Sequence, residues 1–156
     1  VEPLGVRGKS WSALNMLNTG VLHGMSVGDI KEMLPEEHDE WMRDPFGTRV
    51  PGGESYEDCM RRLDPLVVEL ERDTHPVLVV SHLSTLQLLY GYFTGVPCAE
   101  IPFLRLPPHT IIELRPTIYG WRERRIPLGG RSDAEGEAHG KGGDAHEAGE
   151  ATGTKR

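Results

Sequence analysis

The chain has no apolar run near the roughly 18 residues a membrane span needs; its longest clean one covers residues 76–80. It also lacks any excess of positive charge. Lys and Arg number 17 against 24 Asp and Glu, a formal net charge of −7. That balance gives no electrostatic reason to expect nucleic acid or an anionic membrane as partner. The opening Val-Glu-Pro-Leu-Gly has neither an initiator Met nor the charged-then-apolar pattern of a signal peptide, which suggests a piece of something longer. Cysteine is scarce. Cys59 and Cys98 sit in apolar segments without metal-type spacing, and read as reduced core thiols of a cytoplasmic protein. A length of 156 residues suits one domain.

Residues 129–156 hold no aromatic residue and no Val, Ile, Leu or Met. Such a Gly/Ala/Glu-rich stretch buries too little apolar surface to offset the entropy of ordering, so it reads as a disordered tail. His139 and His146 lie there without a ligand pattern, and no metal site is expected. Residues 1–10 form a lead-in, leaving 11–128 as the folded part.

Within that part, Ser26-Val-Gly-Asp29 has the form of an N-cap with an acid at its third position, opening a helix that Pro35 ends. Pro35 then starts a second short helix carrying Trp41 and Met42. Ser55-Tyr-Glu-Asp58 precedes Cys59, Leu63, Leu66, Val67 and Leu70. This three-to-four-residue spacing predicts an amphipathic helix over 55–72. Val77-Leu-Val-Val80 reads as a strand buried on both faces. It leads through Ser81-His82 into a helix over 84–94 closed by Gly95. Residues 110–114 and 118–126 read as two strands around a Pro-containing turn. Helix, buried strand, helix, strand implies an α/β fold with a mostly parallel sheet flanked by helices.

His82 is the first candidate for chemistry. It stands at the carboxyl end of the expected strand, just before a helix whose free N–H groups face the same edge. That edge is where ligands bind in open α/β sheets. A His there can donate to a phosphoryl oxygen or exchange protons near neutral pH; it can equally be a hydrogen-bonded structural residue. Pro51-Gly-Gly-Glu-Ser-Tyr56 is the second candidate, with Glu54 at a helix mouth, although a plain loop with a good cap has the same pattern. Arg43 and Arg49 precede it and can reach an anion in the same cleft. Gly8-Lys9-Ser10 is not a P-loop, because the first Gly of that motif would fall at Pro3. Ser81 and Ser84 flank His82 without a Gly-x-Ser-x-Gly elbow. His109 reads as structural, and Arg122, Arg124 and Arg125 as a solvated face.

Several segments resemble the phosphatase domain of the 6-phosphofructo-2-kinase/fructose-2,6-bisphosphatase family, in the histidine phosphatase (phosphoglycerate mutase-like) superfamily. They are Gly53-Glu-Ser-Tyr-Glu-Asp58, Arg62-Leu63, Glu69-Leu-Glu-Arg72, Val77 to His82, Pro108-His-Thr110 and Pro116-Thr-Ile-Tyr-Gly120. Trp11 to Met25 matches the family's upstream segment, so the likeness covers about residues 11–127. It implies a phosphoglycerate mutase-like α/β domain behind a kinase domain in cis. The implied chemistry is hydrolysis of fructose 2,6-bisphosphate to fructose 6-phosphate through a phosphohistidine. The phosphatase part needs no cofactor; ATP and magnesium belong to a kinase domain if one lies upstream.

Carried over by residue, the resemblance makes His82 the second active-site histidine and Tyr56 a sugar-phosphate contact. Arg43 takes the place of a substrate-binding arginine. Three departures stand out. No Arg-His-Gly occurs, so the nucleophile and the first strand expected around it are missing. Met16 occupies the general-acid Glu position and cannot donate a proton. Leu83 and Gln87 replace a Gln and an Arg of the 6-phosphate clamp, and Val27 replaces a tyrosine. A general acid contributes about 10²–10⁴-fold, so the expectation is an impaired phosphatase or a regulatory, sugar-phosphate-binding pseudophosphatase. A working enzyme with Glu54 as substitute acid is the remaining option. Without the first strand, residues 77–80 are expected to keep an unpaired edge.

Overall fold

Two capping boxes organise the helices. In the computed structural model, which describes residue 5 and residues 7–129, the Ser26 side chain accepts from the Asp29 backbone N–H while Asp29 accepts from the Ser26 N–H. This reciprocal pair satisfies two otherwise free donors and opens α1 (Val27–Met33). Pro35 then occupies the first turn of α2 (Pro35–Arg43), where its missing N–H costs nothing. Ser55 and Asp58 repeat the box at the start of α3 (Tyr56–Arg72). The fourth helix, α4 (Leu83–Thr94), is capped at its end by Gly95 in the left-handed region, φ 73°.

The core lies between α3 and α4. Cys59, Leu63, Leu66 and Val67 of α3 meet Leu88 and Leu89 of α4, and Ile101 of the 3-10 turn Cys98–Phe103 closes the cluster. Tyr56 bonds Gln87 near one end of the pair and Tyr92 bonds Glu71 near the other, so the two helices run in the same sense. Gly91 lets Ile101 approach, since a Cβ there would lie 2.7 Å from the Ile101 side chain.

Strands β1 (Thr110–Thr117) and β2 (Gly120–Pro127) form an antiparallel hairpin in register from Thr110↔Pro127 to Thr117↔Gly120. Its turn is Ile118-Tyr119, followed by Gly120 at φ +119°. The expected proline is therefore not in the turn. Pro116 lies inside β1 opposite Trp121, which a hairpin edge tolerates. The hairpin docks on α4 through Phe93 and Trp121, with ring centroids 5.3 Å apart, and through the Tyr90 hydroxyl on Glu123.

Two expectations need correction. Among the described residues the sheet consists of this antiparallel pair; residues 77–80 are not assigned to a strand and have no ladder partner. Leu78 and Val80 are 67% and 79% exposed rather than buried. A β-branched run forms a buried strand only when neighbours pair with it on both sides. Cys59 is fully buried as expected, but Cys98 is exposed, because the 3-10 turn points Ile101 inward in its place. The tail expectation lies outside the described residues, apart from Gly129. No helix among the described residues is long and apolar enough to cross a membrane.

Candidate functional site

The candidate site is built where α3 and α4 begin. Parallel helices bring their free N–H groups, and the positive ends of their dipoles, toward one edge. Between them lies the segment from Ser12 to Asn18. The Ser81 hydroxyl donates to the Leu14 carbonyl (2.6 Å), and the Thr85 hydroxyl to the Asn15 carbonyl (3.1 Å). Met16 therefore follows a carbonyl fixed on the first turn of α4, and His82 follows the serine that fixes the other.

Arg62 holds this arrangement from the α3 side. Its Nε and one terminal nitrogen each donate to Glu54, both at 3.0 Å, in a forked pair about three-quarters buried. Its other terminal nitrogen donates to the Ala13 carbonyl at 2.6 Å, and both reach the Asn15 carbonyl at 3.3 Å. Glu54 in turn accepts from the Asn18 N–H at 3.1 Å. The Glu54 N–H donates to the Asn18 carbonyl, and Val21 N–H to the Pro51 carbonyl. Two glycines make that contact possible. A Cβ on Gly20 would sit 2.2 Å from the Pro51 oxygen, and one on Gly53 would sit 2.4 Å from the Asn18 oxygen.

The candidate side chains differ in how far they are already engaged. His82 is the N-cap residue of α4, exposed, and its ring makes no hydrogen bond among the described residues. Tyr56 is partly buried and donates to Gln87 Oε1 at 2.9 Å. Burial pushes the phenol upward from its ordinary value, so it stays a neutral donor. Arg49 is held by Asp58, whose carboxyl is lowered to about 2 by the Ser55 N–H, the Arg49 guanidinium and the Ser55 hydroxyl. Arg43 ends α2, exposed, with no ion pair among the described residues. Met16 is half-exposed. Glu54 has both oxygens occupied as acceptors by Arg62 and Asn18.

Sequence reading missed the work of Gln87 and Arg62. Gln87 is buried, accepts from Tyr56, and donates to the Leu104 carbonyl at 2.8 Å and the Pro102 carbonyl at 3.3 Å. It thereby joins the mouth of α3 to the chain beyond α4. Arg62 had a usable signal: it shares a helical face with buried Cys59 and Leu66, where a solvated arginine would be out of place. The misleading Lys9 caps the Trp11 ring at 4.1 Å and pairs with Glu69. His109 enters β1 at φ 51°, uncommon for a residue with a side chain, and its carbonyl accepts from Leu128. Arg124 pairs with Glu113 and Arg125 with Glu123 on the hairpin. No group of three or more metal-ligating side chains is found among the described residues.

Comparison with known proteins gives this geometry its context. The family model of the histidine phosphatase superfamily (branch 1) matches residues 2–128. The chain is 43% identical over 118 residues to the 6-phosphofructo-2-kinase/fructose-2,6-bisphosphatase of Arabidopsis thaliana, covering 76% of this chain and 16% of that protein. It is 41% identical over 127 residues to 6-phosphofructo-2-kinase/fructose-2,6-bisphosphatase 1 of Rattus norvegicus, covering 81% and 27%. It is 40% identical over 116 residues to the fructose-2,6-bisphosphatase of Saccharomyces cerevisiae, covering 74% and 25%. The chain thus spans at most about a quarter of these relatives. Among solved structures, the mycobacterial glucosyl-3-phosphoglycerate phosphatase with inorganic phosphate superposes with a TM-score of 0.60 at 22% identity, over 82% of this chain and 68% of that one. The α-ribazole phosphatase of Shigella flexneri gives 0.63 at 18%, over 76% and 61%. These two likenesses establish the phosphoglycerate mutase-like fold.

Proposed function

This chain belongs to the histidine phosphatase superfamily, and on that premise we propose that it is the bisphosphatase part of a protein acting in fructose 2,6-bisphosphate metabolism, with weakened phosphatase chemistry. The observation that carries the reading is His82 at the mouth of α4, exposed and uncommitted, beside the segment that carries Met16. An imidazole N–H there donates to a phosphoryl oxygen, and the free N–H groups of the helix mouth add to the stabilisation. Tyr56 and Arg43 take the sugar phosphate, while Arg49 is engaged by Asp58. Met16 has no proton to give the leaving alkoxide. Glu54 does not replace it, because Arg62 and Asn18 occupy its oxygens. The nucleophile would come from an Arg-His-Gly segment that the 156 residues do not contain. A kinase domain in cis, using ATP and magnesium, belongs to the same proposal.

The test is phosphate release from fructose 2,6-bisphosphate by the full-length gene product. Turnover should be slow, should rise at least tenfold in Met16→Glu, and should fall in His82→Ala. Fast turnover indifferent to His82→Ala overturns the reading. Met16 also favours a second reading, in which the domain binds fructose 6-phosphate without turning anything over. Calorimetry then shows binding below millimolar ligand that His82→Ala and Arg43→Ala both weaken, with no phosphate release even in Met16→Glu.

A further inference from the structure

We propose that the outward face of the β1–β2 hairpin is a docking surface for an acidic segment, and that its occupant is this chain's own residues 132–137, returning along the free edge of β2. The register divides the hairpin's charges between two faces, because opposite side chains share a face and successive ones alternate. Glu123 and Arg125 face α4, where Glu123 accepts from Tyr90. Arg115, Arg122 and Arg124 share the other face with one acid, Glu113, and these four side chains line a depression of about 180 Å³. Arg115 and Arg124 both pair with that carboxylate, at 2.7 and 2.8 Å, and Arg122 makes no ion pair among the described residues. Arg122 also stands directly opposite Arg115, a like-charge placement that is unfavourable unless an anion joins it. This surplus of positive charge lies on a chain whose net charge is −7.

Two observations select the occupant. The sequence beyond β2 places acids at alternate positions, Asp133, Glu135 and Glu137, the period with which an extended segment presents side chains to one face. The backbone of β2 sets where they fall. The Leu128 N–H donates to the His109 carbonyl, so Ile126, Arg124 and Arg122 likewise direct their backbone groups to β1, while Pro127, Arg125 and Glu123 direct theirs to the free edge. Residues 128–131, Leu-Gly-Gly-Arg, make a four-residue hairpin loop when Ser132 comes opposite Pro127. Ala134 and Gly136 then bond Arg125 and Glu123 through the backbone. Asp133, Glu135 and Glu137 come opposite Ile126, Arg124 and Arg122, on the arginine face. A shift of one residue would send all three acids to the face that carries Glu123. Trp121 through Arg125 are exposed, and β2 has no second ladder partner among the described residues. Residues 132–137 bring no apolar side chain beyond alanine, so charge and backbone bonds hold them, at the high effective concentration that a short tether gives.

The test is amide hydrogen exchange of the full chain by NMR, with residues 147–151 as an internal reference of similar composition. In low salt the Ala134 and Gly136 amides, corrected for intrinsic rates, should exchange at least about threefold slower than the reference. The difference should vanish near about 0.5 M salt, where charge pairs are screened. Glu135→Gln with Glu137→Gln should abolish the slowing without touching the hairpin, and Glu147→Gln with Glu150→Gln should leave it. Arg122→Glu with Arg124→Glu should abolish it too, and adding Glu135→Arg with Glu137→Arg should restore it. Exchange at Ala134 and Gly136 no slower than the reference overturns the proposal. Slowing that is indifferent to salt and to the two glutamates overturns it as well. Slowing that grows with protein concentration gives the surface to the same segment of a second copy and overturns docking within one chain.

Discussion

The Glu54–Arg62 pair sets a sharp energetic expectation. Two N–H···O bonds of 3.0 Å join groups about three-quarters buried. Fully exposed pairs contribute about 0.2–1 kcal/mol, whereas breaking a fully buried pair costs about 3–5 kcal/mol. Partial burial and forked geometry place the coupling between these limits, at about 1–3 kcal/mol. Arg62→Met also removes the bonds to the Ala13 and Asn15 carbonyls, so its total cost should exceed that of Glu54→Gln, by roughly 1 kcal/mol or more. The assay is a double-mutant cycle by urea unfolding, followed through tryptophan fluorescence. A coupling below about 0.5 kcal/mol would refute the argument that this pair anchors the Met16 segment, because an unanchored pair behaves like a surface one. Hydrogen exchange gives an independent check. Both single variants should lose protection at the Asn18 and Glu54 amides, whose acceptors depend on the same contact.

Other expectations follow from single features. Pro65 is exposed inside α3, where it removes a helix hydrogen bond, so Pro65→Ala should raise stability by about 1–3 kcal/mol in the same urea assay. Asp58 is depressed to about 2 in the folded state against 3.8 ordinarily. Its contribution is thus complete above pH 4 and lost as pH falls toward 2; Asp58→Asn should flatten that part of the stability profile, and an unchanged profile would contradict it. Exposed Leu78 and Val80 on a segment without a ladder partner should make the chain marginal and prone to associate through that segment. A sharp, reversible, concentration-independent melt by circular dichroism would refute this, and Leu78→Lys with Val80→Lys should lower light scattering.

What could be read from the sequence was what depends on neighbours along the chain. Both capping boxes close within three residues, so Ser26-Asp29 and Ser55-Asp58 announced α1 and α3. Pro35 and Gly95 likewise carried the start of α2 and the end of α4 in their own backbone preferences. The errors concern partners distant in sequence. The run 77–80 has every local mark of a strand, but a ladder is a property of two segments. Pro116 looked like a turn residue because its partner Trp121 is invisible to local pattern. Cys98 looked buried because an apolar neighbourhood does not say which side chain a 3-10 turn sends inward.

The candidate site shows the same division at the level of charge. Residue type and helix position were enough to place His82, Tyr56 and Glu54 at helix mouths. They were not enough to say which charges remain available to a ligand. Arg49 is engaged by Asp58 and Arg62 by Glu54, while Arg43 and Arg105 make no ion pair among the described residues. An anion meets the charge left over after internal pairing, not the number of arginines in the neighbourhood. For that reason the charge open to a ligand is set by pairing across the fold and not by residue type alone. Residues 53–58 meanwhile build the cap of α3 and the loop contacts to Asn18, so their part in the fold is visible without any ligand.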